Sequence, residues 1–158
     1  MRPLKKKVLV LVIGAPGSGK TTLCKKHYSG YICFDNDRVI EAVWGSLQYH
    51  ASIKHLAKGM VREGIRRAME GGLAIALPAS GRTRKDRSRY IDIAKEFDYQ
   101  VEIVKSSATP EECLSRCKAD KSRPASTDWG PIIEHWFKVF EPVENGECNK
   151  YSELSLED

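Results

Sequence analysis

The sequence predicts an α/β fold: a three-layer sandwich around a four-stranded parallel sheet, with a helical lid. Three observations carry this. Short apolar runs alternate with segments of helical periodicity along most of the 158 residues. That pattern belongs to parallel strands joined by right-handed helical crossovers. The first apolar run, Val8 to Ile13, is continuous, as a strand buried on both faces requires. It leads directly into Gly14-Ala15-Pro16-Gly17-Ser18-Gly19-Lys20-Thr21. Glycine, four residues, then Gly-Lys-Thr is the phosphate-binding P-loop pattern, so the sandwich is of the P-loop NTPase type.

The elements follow in order. Thr22 to Lys26 continues the P-loop as a helix. Tyr31-Ile32-Cys33-Phe34 is a second strand that ends at Asp35-Asn36-Asp37. Val39, Ile40, Val43 and Trp44 recur at helical spacing. Ile53 to Met69 is a longer helix, with Leu56, Met60, Ile65 and Ala68 expected inward and Gly71-Gly72 as its stop. Leu73 to Leu77 is a third strand, closed by Pro78. Arg84 to Phe97 is a helix with Tyr90, Ile91, Ile93, Ala94 and Phe97 inward, and Val101 to Val104 is a fourth strand. Thr109 caps the next helix, with Pro110 in its first turn. Pro131 to Phe140 is a last helix carrying Ile132, Ile133, Trp136, Phe137 and Phe140. These elements make residues 1–142 one domain. Residues 143–158 are acidic and lack strong periodicity, and read as an extension or a partly disordered tail.

Composition narrows the classes. The length suits a single domain, and no apolar run approaches the roughly 20 residues of a membrane span. The start, Met1 to Lys7, is charged, but the following run enters the P-loop without a small-residue cleavage site, so a cytoplasmic location is expected. The five cysteines are odd in number and form no dense framework, so reduced thiols are expected. Cys113 and Cys117 stand at i,i+4 spacing, which allows a metal pair but suits core packing better without a second ligand pair. The net charge of +5 hides an asymmetry. Residues 141–158 hold six acids and one lysine, which leaves about +10 on the rest. A basic body suits a polyanionic partner, or else is a solvated surface.

Ligands of parallel α/β sheets gather beyond the C-terminal strand ends. Here those ends are Gly14–Thr21, Asp35–Asp37, Pro78–Arg84 and Ser106–Thr109. In the P-loop, residues Gly14, Ala15, Pro16, Gly17, Ser18 and Gly19 offer backbone amides to phosphate oxygens. The start of the helix, with Thr22, adds its partial positive charge. Lys20 is expected on the β- and γ-phosphates of ATP, and the Thr21 hydroxyl on Mg²⁺. Asp37 is the candidate for deprotonating an acceptor hydroxyl. Asp35 is its rival, and either could instead cap the following helix. Arg116 to Pro124 is rich in cations between two helices and suits a lid, with Arg116 and Arg123 on the phosphates. The other account is a helix end whose cations complement the dipole. Gly81 to Arg87 is the densest basic cluster. Arg82, Arg84, Lys85 and Arg87 are expected to contact nucleic-acid phosphates, since cations at a helix start otherwise oppose its dipole.

Together these pieces resemble the polynucleotide kinase family, especially the 5′-hydroxyl kinase domain of bacteriophage enzymes. The resemblance rests on Gly14 to Thr22, on Gly30-Tyr31 through Asp37, on Ile93 to Glu102, and on Arg116 to Phe140. It implies Asp37 as general base, Lys20 as the phosphate lysine, Thr21 as Mg²⁺ ligand and Arg123 as lid arginine, with ATP and Mg²⁺ as cofactors and a nucleic acid as partner. Two positions depart from the family. Pro78-Ala79-Ser80-Gly81 stands where an acidic residue follows the third strand, and Ile40 stands where an arginine follows the catalytic aspartate. A changed acceptor pocket suits another hydroxyl, such as a hydroxymethyl group on a DNA base. The remaining readings are a small-molecule kinase for a nucleoside or nucleotide, and a nucleotide-binding pseudokinase.

Overall fold

Strand β1 (Val8–Ile13) is the centre of the molecule, with all six residues buried. Its side chains divide by parity, as the period of two in a strand demands. Leu9, Leu11 and Ile13 enter one apolar cluster, and Val8, Val10 and Val12 enter another on the opposite face. Each such side chain contributes about 1.5–3 kcal/mol when fully removed from water. The computed structural model describes residues 1–48 and 50–158.

Helix α1 (Lys20–His27) follows the P-loop and buries Leu23 and Cys24 on the even-numbered face. Strand β2 (Ile32–Cys33) is shorter than its apolar run suggests. Helices α2 (Asn36–Trp44) and α3 (Ala51–Glu70) pack on each other. Strand β3 (Ile75–Ala79) contains Pro78 instead of stopping before it. The last β2 partner in the ladder is Cys33 opposite Ala76, so on that side no strand needs the amide that Pro78 lacks. Helix α4 (Arg84–Glu96) starts at Thr83, whose side chain accepts the Asp86 amide. Strand β4 (Gln100–Ser106) pairs with β1. Helix α5 (Pro110–Ala119) opens with a capping box between Thr109 and Glu112, and α6 (Trp129–Val139) follows it.

The sheet has five parallel strands, not the expected four. The order is β2-β3-β1-β4-β5, and β5 is Lys150–Leu154. Residues 143–158 are therefore not a loose tail: β5 pairs along β4 from Glu102 opposite Lys150 to Ser106 opposite Leu154. The strand escaped notice because it is an exposed edge with little apolar alternation; its identity comes from β4, not from its own pattern. Helices α3 and α4 cover one face of the sheet, and α1 covers the other.

One expected core face is also corrected. Leu56 and Met60 of α3 are exposed, at 51% and 45%. Ala57, Val61, Ile65, Ala68 and Met69 face the sheet instead. The buried stripe steps through Ala57, Val61, Ile65 and Ala68 at three- and four-residue spacing, and Leu56 and Met60, one residue before Ala57 and Val61, turn away from it. Cys113 and Cys117 are buried with Ala15, Ile133 and Trp136 in a third cluster that seats α5 and α6 on the P-loop.

Candidate active site at the C-terminal edge of the sheet

Four strand ends meet at one edge. The Gly14 amide donates to the Ser80 carbonyl beyond β3, at 3.3 Å. Ser106 Oγ at the end of β4 donates to the Ser18 carbonyl, at 2.7 Å. Trp136 Nε1 of α6 donates to the Ser80 carbonyl, at 3.1 Å. The P-loop is thus held from both neighbouring strands.

Glycine is required at two positions of the loop. Gly17 has φ 78° and Gly19 φ 88°, in the left-handed region. A Cβ on Gly17 would collide with the Cys113 carbonyl of α5. This close approach lets Arg116 Nη1 donate to the Gly17 carbonyl, at 3.4 Å. Ser18 Oγ is buried in the loop without a hydrogen-bond partner among the described residues.

Lys20 Nζ turns back onto the loop and donates to the Gly14 and Ala15 carbonyls, at 3.0 and 2.9 Å. Burial pulls its pKa down to about 8, and the charge of Arg123 acts in the same direction. Asp37, Cys113 and Asp35 oppose the shift. Arg123 therefore stands within electrostatic reach of the P-loop lysine. Its Nε lies 3.3 Å from Asp120 Oδ2, and its guanidinium lies 5.0 Å from the Trp129 ring centroid.

The two aspartates after β2 take different places. Asp35 is the N-cap of α2; its Oδ1 accepts the Asp37 amide, at 3.0 Å. Its Oδ2 accepts from Thr21 Oγ1, at 2.9 Å. Thr21 and Asp35 are thus the pair that could hold a divalent cation. Asp37 lies in the first turn of α2 and is exposed. Its carboxyl opens to solvent on one side, while protein on the others removes much of its hydration and pushes its pKa up. Asp35 pushes it up further, and Arg123, Lys20 and Lys54 pull it down. An exposed carboxyl with raised pKa, within electrostatic reach of Arg123, Lys20 and Lys54, can accept a proton from an incoming hydroxyl.

The site therefore gathers Gly14 to Thr22, Asp35, Asp37, Arg116 and Arg123. It does not gather the basic cluster as expected. Arg87 is 1% exposed, so it is not available to a nucleic-acid phosphate. It lies on the inner face of α4, is ion-paired with Glu147, and donates to the carbonyls of Gly81 and Glu141 at 2.8 and 2.9 Å. Arg84 pairs with Glu144 at 2.8 Å, and Arg82 with Asp86 at 3.7 Å; Lys85 is exposed. The acids that engage Arg84 and Arg87 come from the C-terminal segment, so part of the charge asymmetry is neutralised within the molecule. The pairing of Asp35 with Thr21 was the feature hardest to find, because each residue alone fits a capping or loop role.

The AAA domain family (AAA_33) matches residues 9–128, from β1 to the residue before α6. No curated protein sequence matches the chain. A Chloroflexus aurantiacus protein, proposed to be a kinase, is similar in structure at TM-score 0.73 and 16% identity, over 96% of this chain and 89% of that one. A chain of the Pnkp1/Rnl/Hen1 RNA repair complex is similar at TM-score 0.67 and 16% identity, over 87% of this chain and 47% of that one. A chain of the AvrRxo1-ORF1:-ORF2 structure with ATP is similar at TM-score 0.65 and 17% identity, over 84% and 46%. This chain spans about half the length of the last two. These likenesses show a P-loop kinase-like fold. No helix among the described residues is long and apolar enough to cross a membrane. With Gly14 to Thr22, Asp35, Asp37, Arg116 and Arg123 all inside the matched span, the chain belongs to the AAA domain family AAA_33.

Proposed function

We propose that the protein is an ATP-dependent phosphotransferase that phosphorylates a hydroxyl of a nucleic acid, either a 5′-hydroxyl or a hydroxymethyl group on a base. The observation that supports this reading is an exposed carboxyl, Asp37, within electrostatic reach of Lys20 and Arg123, two residues from the Asp35 that pairs with Thr21. A pure nucleotide switch has no need of an exposed carboxyl with raised pKa, such as Asp37, beside the phosphate loop.

The residues present fit ATP and Mg²⁺. The loop presents amides around two glycines at positive φ, and Thr21 and Asp35 supply hard oxygen donors, the kind Mg²⁺ takes. Bound together, these cofactors supply the phosphoryl group and neutralise charge on its oxygens. Lys20 would leave the Gly14 and Ala15 carbonyls for the phosphates. Asp37 would orient the acceptor hydroxyl and take its proton. Arg123 and Arg116 would close from the lid, exclude water and stabilise charge on the transferring group. Around the acceptor, Arg82 and Lys85 at the open start of α4 remain candidates for phosphate contacts.

The likeness to a chain of an RNA repair complex and to a chain solved with ATP supports this reading. Incubation with labelled ATP, Mg²⁺ and three acceptor classes tests it: 5′-hydroxyl oligonucleotides, DNA with hydroxymethylated bases, and free nucleosides. Label on either nucleic acid is expected. Label on nucleosides alone would replace the reading with a small-molecule kinase, and no transfer to any acceptor with intact nucleotide binding would favour a pseudokinase.

A further inference from the structure

Helix α3 enters β3 through Gly71-Gly72, and β3 runs parallel to β1 toward the P-loop edge. The N-terminal end of α3 therefore lies at the active edge, and its later turns descend along the sheet beside α4. Lys54, Lys58 and Arg62 follow at successive i,i+4 steps on α3, covering roughly 12 Å of helix axis.

Most other cations of α3 and α4 have carboxylate partners. Arg66 pairs with Glu96, Arg67 with Glu63 and Glu70, Arg84 with Glu144 and Arg87 with Glu147. Lys58, Arg62 and Arg89 have no ion pair among the described residues. Lys58 and Arg62 stand one turn apart on α3, which packs against α4, the helix that carries Arg89. Half-burial holds the Lys58 ammonium below its usual pKa, and the charges of Lys54, Arg89 and Arg62 push it further the same way, against Asp86. A row of merely solvated cations would spread apart or take i,i+4 partners, as Arg67 does with Glu63. Like charges gathered in excess around Lys58, with the one opposing acid, Asp86, itself paired to Arg82, suit a surface that an external polyanion completes.

The row is joined to the candidate chemistry. Lys54 acts electrostatically on Asp37. Asp37 and Trp44 stand seven residues apart on α2, and so share one helix face. The Trp44 ring is 51% exposed and lies 6.0 Å from the His50 ring at the start of α3. An exposed indole beside a cationic row is a stacking platform for a base.

We propose that the cationic surface along α3 and α4 is the track for a single-stranded polynucleotide acceptor, with Lys58, Arg62 and Arg89 on its phosphates, Lys54 beside the reacting end, and Trp44 under a base. The track rests on the nucleic-acid reading above, and differs from it in assigning the main contacts to α3 instead of the start of α4.

The test is binding of a fluorescent single-stranded 5′-hydroxyl oligonucleotide, measured by anisotropy against salt with a non-hydrolysable ATP analogue present. Lys58→Gln/Arg62→Gln/Arg89→Gln should flatten the log–log salt slope by about 2, at about 0.7 per lost single-strand contact. It should raise the oligonucleotide KM at least about tenfold and leave the KM for ATP unchanged. Its thermal midpoint should hold or rise, because mutual repulsion is relieved. Arg62→Gln alone, at an exposed site, should lose about 0.7 of slope. Arg67→Gln, which removes a paired cation from the same helix, should lose none. A wild-type slope in both the triple variant and Arg62→Gln would overturn the track while leaving the nucleic-acid reading in place. Equal losses in Arg62→Gln and Arg67→Gln would also overturn it, because net charge alone would then set the slope. A wild-type protein that phosphorylates only free nucleosides and binds no oligonucleotide would overturn both.

Discussion

Arg87 of α4 and Glu147 before β5 form a buried ion pair that ties the acidic C-terminal segment to the body of the domain. The guanidinium also donates to the carbonyls of Gly81, Glu141 and Pro142, so its donors are occupied by protein. Burial alone would raise the Glu147 pKa, but the hydrogen bonds from Arg87 and the Glu144 amide outweigh it and hold the carboxyl below its usual range. Removing one partner leaves the other charge buried and uncompensated. Arg87→Ala should therefore cost about 3–5 kcal/mol, read as a lower midpoint in urea unfolding. Because the folded pKa is depressed, the Glu147 contribution is present above the ordinary carboxylate pKa and is lost as pH falls through the folded value. The stability gap between wild type and Glu147→Gln should accordingly close on acidification. A gap independent of pH would show that packing, not charge, makes the tie.

Lys20 offers a second pH test. Its pKa of about 8 in the free protein leaves much of it neutral on the alkaline side. Phosphate oxygens favour the charged form, so nucleotide binding should take up a proton above about pH 8 and weaken as pH rises further. Calorimetry in two buffers of different ionisation enthalpy measures that uptake. Lys20→Ala should lose the pH dependence and abolish phosphoryl transfer. Equal affinity on both sides of pH 8 would remove Lys20 from the phosphates.

The two aspartates should separate kinetically. Asp37→Asn should lower kcat by about 10²–10⁴-fold with little change in nucleotide affinity, as for a group acting on the acceptor. Asp35→Asn should instead raise the Mg²⁺ concentration needed for half-maximal rate, because its carboxylate meets the Thr21 hydroxyl. Since the Asp37 pKa is raised, kcat should begin to fall on the acid side at a higher pH than an ordinary carboxylate sets. Interchanged phenotypes would exchange the two roles.

Arg123 should act in the closed lid. Arg123→Ala is expected to reduce kcat and kcat/KM together, on the order of 100-fold or more. Arg123→Lys should restore only part of the rate, because it keeps charge but not the planar fork. Full activity in Arg123→Ala would pass the role to Arg116, which already touches the Gly17 carbonyl.

Local chemistry made much of this protein legible before any fold was known. The run Val8 to Ile13, the loop to Thr21, the cap at Thr109 and the candidates Lys20, Asp37 and Arg123 depend on neighbours in sequence, and their periodicity or motif is complete within a few residues. Tertiary structure alone decided the rest. Strand β5 exists because β4 offers an unpaired edge. Arg87 left the surface because its partner Glu147 lies 60 residues away. Thr21 meets Asp35 only when β1 and β2 end at the same edge. Lys58, Arg62 and Arg89 form one cluster only when α3 and α4 lie side by side. Motifs and caps are satisfied by short-range geometry, whereas a charge takes its role from whichever partner the folded chain brings to it.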